Sequence, residues 1–338
     1  MDQEETGTGK IPADVSTLLD SCRSELAKRI VGQQEMVNGL LMALIAGGHV
    51  LLEGVPGLAK TLAVKSLAEL TGLDFKRIQF TPDLLPADLT GTLIWEQARG
   101  AFSVRRGPVF ANLILADEIN RAPAKVQSAL LEAMEEHQVT IGEQSYPLPE
   151  PFFVLATQNP IEHEGTYALP EAELDRFLLK LLVKYPSPEE ELRILKFGKN
   201  ISASGHTRME PIRPILDGKY LAMLRSAAEA VRTDEQIQKY IVSVVSATRP
   251  GEDSKKGSRD DLYRFISFGA SPRATLALYR CSRIAALFEG RTFVTPGDVK
   301  AVTLPVLRHR IVLSYEAEAE GLDADGVISR ILSFIPVP

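Results

Sequence analysis

Apolar and polar positions recur along this chain at two different periods, and the alternation between them lays out its elements. From Val15 to Leu26 apolar residues return every three or four positions. They do so again over 33–46, where Met36, Val37, Leu40, Leu41, Leu44 and Ile45 share one helical face. Between the helical segments lie short apolar runs of strand length: Val50-Leu51-Leu52, Phe75 to Phe80, Leu113 to Ala116, Phe152 to Thr157 and Phe177 to Val183. Near-continuous apolar strands alternating with helices predict an α/β fold, a five-stranded parallel sheet covered on both faces as an αβα sandwich. Two β-prone pairs interrupt that rhythm. Thr90 to Trp95 faces Ala101 to Val104 across a glycine-containing loop, and Gln138 to Tyr146 alternates around Gly142-Glu143, so hairpin inserts are expected near 91–104 and 138–148.

Past Pro186-Ser187-Pro188 the pattern turns helical throughout, over roughly 189–197, 216–231, 234–248, 272–289, 296–303 and 324–334. Ser271-Pro272 and Thr295-Pro296 each set a capping hydroxyl before a proline at the first helical position. The expected organisation is a polar tail at 1–14, an α/β domain at 15–187 and a smaller all-α domain at 188–338. Pro250 to Asp261, rich in Gly, Lys, Ser and Asp, reads as a mobile loop with solvated lysines.

Composition narrows the classes of function. A net charge of −6 over 338 residues argues against a task carried by a broadly basic surface, which makes nucleic acid a secondary partner class. Cys22 and Cys281 lack metal-ligand spacing and read as buried apolar residues in a reducing compartment. The acidic start lacks the order of a signal peptide, and apolar runs stay well short of the ~18 residues of a membrane span. A cytoplasmic location without a membrane span is the expectation.

Candidate chemistry begins at Gly54-Val55-Pro56-Gly57-Leu58-Ala59-Lys60-Thr61, between an apolar strand and the helix opening at Leu62. In that context loop N–H groups and the helix N-terminus face a phosphate, a lysine reaches its outer oxygens and a hydroxyl binds Mg²⁺. Lys60 and Thr61 supply those side chains. Ala59 stands where a second glycine is usual, and the loop accepts it only with a negative φ. Ile30-Val31-Gly32 reads either as a wall for an adenine ring or as an inter-helix turn.

Neighbouring strands end in Asp117-Glu118 and Asn159. Asp117 suits support of a metal together with Thr61, and Glu118 the polarising of a water; the bland alternative is a pair of surface acids. Asn159 could orient the same water, or its Asn-Pro dipeptide could simply make a turn. Arg176 reads either as a surface partner of Asp175 or Glu173, or as an arginine finger for a neighbouring subunit's nucleotide. Arg273 opposes the dipole in the first turn of the Ser271-capped helix, a sign that a bound phosphate would reverse. Arg121 is a further candidate contact across an interface. Strand tips at Gly54, Asp117 and Asn159 should meet at one edge of the sheet.

Taken together these motifs resemble the AAA+ ATPases, P-loop NTPases, and more narrowly the MoxR family in the helix-2-insert clade. Gly54 to Thr61 is similar to its Walker A, and Leu113 to Ala122 to Walker B and the run after it. Ala156 to Pro160 resembles sensor 1, Glu171 to Phe177 the arginine-finger motif, and Gly269 to Ala274 sensor 2. The hairpins near 91–104 and 138–148 resemble the helix-2 insert and the pre-sensor-1 hairpin. The resemblance implies ATP and Mg²⁺ as cofactors, with a nucleotide contacted by Ile30, Val31, Gly32, the loop from Gly54 to Thr61 and Leu62. Thr61 and Asp117 would serve the metal, and Glu118, Asn159, Arg176 and Arg273 the hydrolysis. It further implies a homo-oligomeric, usually hexameric ring in the bacterial cytoplasm. Such a ring remodels or activates a protein client, often beside a partner with a von Willebrand factor A domain. The rival readings are a chelatase-like motor for metal insertion, a nucleic-acid remodeller and a nucleotide-gated scaffold.

Overall fold

The computed structural model describes residues 12–55, 57–58, 60–98, 100–160, 165–198, 210–250 and 263–338. Pro56 and Ala59 of the glycine loop, nearly all of the expected tail and the expected loop after Pro250 lie outside the described residues. Two compact units emerge. One holds Asp20–Phe177 and Leu181–Tyr220, and the other holds Leu178–Lys180 and Leu221–Pro338 with the chain start up to Leu19.

The first half of the chain runs α1 (Ala13–Ala27), α2 (Gln34–Ala46), β1 (His49–Glu53), α3 (Lys60–Thr71), β2 (Phe75–Gln79), α4 (Pro86–Thr90), then the hairpin β3 (Gly91–Glu96) and β4 (Ala101–Arg106). It continues with β5 (Leu113–Asp117), α5 (Ala124–Glu136), the hairpin β6 (Gln138–Ile141) and β7 (Gln144–Pro147), β8 (Phe153–Gln158), α6 (Glu171–Leu174), β9 (Phe177–Leu182) and α7 (Pro188–Gly198). Five strands form one sheet in the order β2-β5-β8-β1-β9, with parallel pairing from β2 through β5 and β8 to β1. The predicted fold class and both hairpin inserts are therefore present.

Burial explains which strand takes which place. Leu113 to Ala116 of β5, Val154 to Ala156 of β8 and Val50 to Leu52 of β1 are fully buried, as central strands covered on both faces must be. At the edge, β2 alternates instead, with Ile78 turned inward and Lys76, Arg77 and Gln79 exposed. Charge on an edge strand discourages pairing with another chain. It also places Arg77 and Gln79, two residues apart, on one face.

Register makes the strand tips coincide. Leu52 and Glu53 pair with Thr157 and Gln158, Ala116 pairs with Ala156, and Gln79 pairs with Asp117. Gly54 follows immediately and has no room for a side chain, because a β-carbon there would lie 2.8 Å from the Val183 carbonyl oxygen and 2.9 Å from its Cβ. The absence of a methyl group allows the chain after β9 to close against the end of β1.

The chain passes Pro186-Ser187-Pro188 without leaving the sheet-bearing unit. Residues beyond it return to the sheet's helices: the N–H groups of Ile215 and Leu216 both donate to the Leu70 carbonyl in α3 at 3.0 Å, and Arg29 Nε donates to the Glu210 carbonyl at 2.8 Å. Prolines signalled a break in helix, and the backbone hydrogen bonds that decide the unit's extent lie downstream.

In the second unit the helices Glu235–Ser246, Pro272–Phe288, Pro296–Leu307 and Ala324–Phe334 occupy the predicted stretches. The all-helical expectation needs one addition. Ile266–Phe268 pairs antiparallel with Val312–Leu313, a ladder too short to leave a period in the sequence. Ser271 caps its helix as expected, accepting from the Arg273 N–H at 3.1 Å. At the next helix Asp298 does the capping: its Oδ2 accepts from the Thr295 N–H at 2.7 Å and from the Thr295 hydroxyl at 2.8 Å. Arg291 holds the same carboxylate at 2.6 and 2.7 Å.

One buried polar side chain of the core ties three elements together. The Nδ1 atom of His49, at the start of β1, accepts from the Val154 N–H of β8 at 3.0 Å. Its Nε2 therefore carries the proton and faces the Met134 carbonyl of α5 at 3.3 Å. Burial pushes its pKa down to about 4, so the ring is neutral in the folded state. Because the unfolded chain takes up this proton first, stability attributable to His49 is present above its ordinary pKa of 6.5 and is lost as pH falls toward 4. Urea denaturation between those values should show a decline of about 3 kcal/mol from this group, and His49→Gln should flatten that part of the profile.

Candidate active site

The strand tips enclose a cavity of about 360 Å³ lined by Gly57, Lys60, Thr61, Leu62, Asp117, Glu118 and Asn159. Three separated stretches of sequence meet there, each delivered by a different strand or by the helix that follows it. Lys60 opens α3, and its Nζ donates back to the Gly54 carbonyl at 2.7 Å, so the loop is wrapped around its own lysine. Gly57 sits at φ +85° with open space beside it, a conformation that suits glycine. Asn159 is buried at the end of β8.

The two acids are held differently. Asp117 is 9% exposed. Its Oδ1 accepts from the Thr157 hydroxyl at 2.6 Å, while Oδ2 accepts from Arg77 through Nη2 at 2.6 Å and Nε at 3.0 Å. Glu118 leaves the strand in the left-handed region, at φ 57° and ψ 52°. Its N–H donates to the same Thr157 hydroxyl at 2.8 Å, and its carboxylate meets Gln79 Nε2 at 2.8 Å and Arg121 Nε at 3.2 Å. A non-glycine residue at positive φ is uncommon and clusters at functional sites, where surrounding bonds over-determine the backbone. Here the reversal carries the Glu118 side chain off the strand's alternation and into the cavity wall.

Residues 49–179 match the ATPase family associated with various cellular activities (AAA), and residues 264–331 match the AAA lid domain. The chain is 48% identical over 332 residues to Chaperone MoxR1 of Mycobacterium tuberculosis, covering 98% of this chain and 85% of that protein. It is 32% identical over 324 residues to Protein MoxR of Methylorubrum extorquens, covering 93% of each. The chain belongs to the MoxR family of AAA ATPases. A crystal structure of a protein from Cytophaga hutchinsonii, 46% identical, superposes with a TM-score of 0.87 over 96% of both chains.

Set against the MoxR-type motifs, the remaining candidates divide. Val55 and Leu58 belong to the loop, and Pro56 and Ala59 lie outside the described residues. Ile30, Val31 and Gly32 do not line the cavity; Gly32, at φ +67°, abuts the Glu190 carboxylate, which also accepts from the Ser187 N–H at 2.8 Å. Arg176 pairs with Glu135 of α5 at 3.1 Å rather than with Asp175 or Glu173. Arg121, expected at an interface, lies against Glu118. Arg273 stands in the first turn of its capped helix, in the other compact unit.

Three residues of this network carried no role in the sequence reading: Arg77, Gln79 and Thr157. A signal for the first two existed, since polar residues two apart on an edge strand share a face and, in parallel register, face the acids of the next strand.

The left-handed backbone at Glu118 yields a stability test. Glycine relieves the clash of Cβ with the carbonyl and alanine keeps it, so Glu118→Gly should be more stable than Glu118→Ala by about 1 kcal/mol, despite glycine's greater freedom when unfolded. Denaturant midpoints of the two variants, both lacking the carboxylate, measure this difference directly.

Proposed function

We propose that this MoxR-family protein hydrolyses ATP in a Mg²⁺-dependent reaction, as a homo-oligomeric ring that remodels or activates a protein client. The observation that carries the reading is the convergence of Lys60, Thr61, Asp117, Glu118 and Asn159 on one cavity. Phosphoryl transfer to water asks for charge neutralisation, a held metal and a positioned nucleophile, and little covalent work. Lys60 gives the charge. The donor set suits Mg²⁺, a hard cation that takes one or two protein oxygens and completes its shell with water and phosphate. Thr61 Oγ1 and the Asp117 carboxylate are such oxygens. Among the described residues no group of three or more His, Cys, Asp or Glu could hold a metal on its own, which favours an ion shared with the nucleotide. When bound, Mg²⁺ supplies neutralisation of the β- and γ-phosphate charge.

Glu118 accepts a hydrogen bond from the attacking water, with the Asn159 amide orienting the same molecule or the γ-phosphate. Water oxygen bonds to phosphorus as the bond to the bridging oxygen breaks, leaving ADP and inorganic phosphate. Arg176 acts on the nucleotide of the next subunit, a role supported by its absence from the cavity of its own chain. Arg273 answers the phosphates from the lid. The client and a partner with a von Willebrand factor A domain are proposed on the family resemblance alone. Among the described residues no helix is long and apolar enough to cross a membrane, and the net negative charge disfavours nucleic acid as the client.

Three variants separate the roles. Lys60→Ala should abolish the rise in melting temperature on adding ATP. Glu118→Gln should keep that rise while phosphate release falls by about 10² to 10⁴. Arg176→Ala should leave nucleotide affinity near the parent value and reduce turnover by about 10³ or more; normal turnover in that variant removes Arg176 from the reaction.

A further inference from the structure

We propose that Arg77 is an internal substitute for the metal at Asp117, a cation that must leave Oδ2 of the carboxylate before Mg²⁺ can take that oxygen. This rests on the nucleotide-site reading above. Arg77 directs two nitrogens at a single oxygen, with Nη2 at 2.6 Å and Nε at 3.0 Å from Asp117 Oδ2, while Thr157 occupies Oδ1 at 2.6 Å. Both lone pairs of Oδ2 are thereby taken while Oδ1 keeps one, so a metal that ligates through Oδ2 must displace Arg77.

Which partner moves follows from how each is anchored. Thr157 is fully buried between central strands and also receives the Glu118 N–H, so it is fixed by the sheet. Arg77 sits on the edge strand, and its side chain is 48% exposed against 13% for that of Asp117. Its Nη2 also donates to Gln79 Oε1 at 2.9 Å on the same strand face. A divalent ion and a guanidinium sharing one carboxylate oxygen would repel each other. Arg77 therefore swings toward solvent along β2 when the ion enters.

The arrangement has two consequences. While the site holds no metal, a carboxylate buried at the sheet tip keeps a charge partner, which a nearly buried anion requires. When metal arrives it competes with a tethered cation, so apparent metal affinity is reduced by the fraction of molecules in which Asp117 is engaged. Nucleotide alone, binding through Lys60 and the loop, does not meet this competition. Arg77 is not among the residues that line the cavity, and it acts through Asp117 as a positioning residue.

Calorimetric titration with ADP in EDTA, and with ADP plus excess Mn²⁺, measures the metal-dependent gain in affinity without any turnover. Arg77→Gln should leave the EDTA value unchanged and tighten the Mn²⁺ value by about fivefold, which is ~1 kcal/mol of competition. Its melting temperature in EDTA should fall below the parent's, with the deficit recovered on adding ADP and Mn²⁺. Arg77→Lys, which keeps the charge without the fork, should show a smaller gain than Arg77→Gln and serves if the glutamine variant folds poorly. A metal-dependent gain that is unchanged or weaker in both variants overturns the proposal, because Arg77 would then be a fixed support for Asp117. If the parent protein binds no ADP, or shows no gain with Mn²⁺, the nucleotide-site reading itself fails, and the inference with it.

Discussion

A single buried hydroxyl, Thr157 Oγ1, sets the geometry of the site. It donates to Asp117 and accepts from the Glu118 N–H, so it joins the tip of β8 to the tip of β5 at the point where the chain turns left-handed. In a medium from which water is excluded, both bonds are costly to leave unmade, and their directions are fixed by neighbouring strands packed on both faces. The aspartate is thereby held in the line of the strand while the glutamate next to it is turned away. Two adjacent acids acquire two environments from one side chain, without any long-range device.

Charged side chains among the candidate residues share a second regularity. Asp117 faces Arg77, Glu118 faces Arg121 and Gln79, and Arg176 faces Glu135, each within the same chain. For half-exposed pairs such contacts add little to folding stability. Their weight lies in holding charge in a defined place until something with higher charge density displaces it. In the proposed cycle a triphosphate with its metal, and a neighbouring subunit's nucleotide, are such competitors.

Much of this was legible in the sequence because it depends on local period and on chain order. Apolar runs such as Val50-Leu51-Leu52 and Leu113 to Ala116 announce central strands, and parallel connection then forces Gly54, Asp117 and Asn159 to one edge. Side-chain partners were less legible, for a physical reason. Arg77 and Asp117 are 40 positions apart and Arg176 and Glu135 are 41, so only the three-dimensional register brings them together. The compact unit that bears the sheet also runs past the proline cluster, since Ile215 and Leu216 are bound to it by backbone hydrogen bonds that carry no residue preference. The short ladder at Ile266–Phe268 was invisible because three residues cannot display a period.

Gly54 belongs both to the loop that would meet a phosphate and to the contact at Val183. The loop therefore takes its stiffness from the sheet's edge: any side chain added at Gly54 would displace the segment after β9 before it disturbed a ligand. A variant there would report on strand packing first, and loss of binding in it could not by itself be assigned to the loop. Conversely, the freedom to redesign the loop's entrance lies at position 183, outside every motif, where a smaller side chain would open space that the backbone carbonyl still limits.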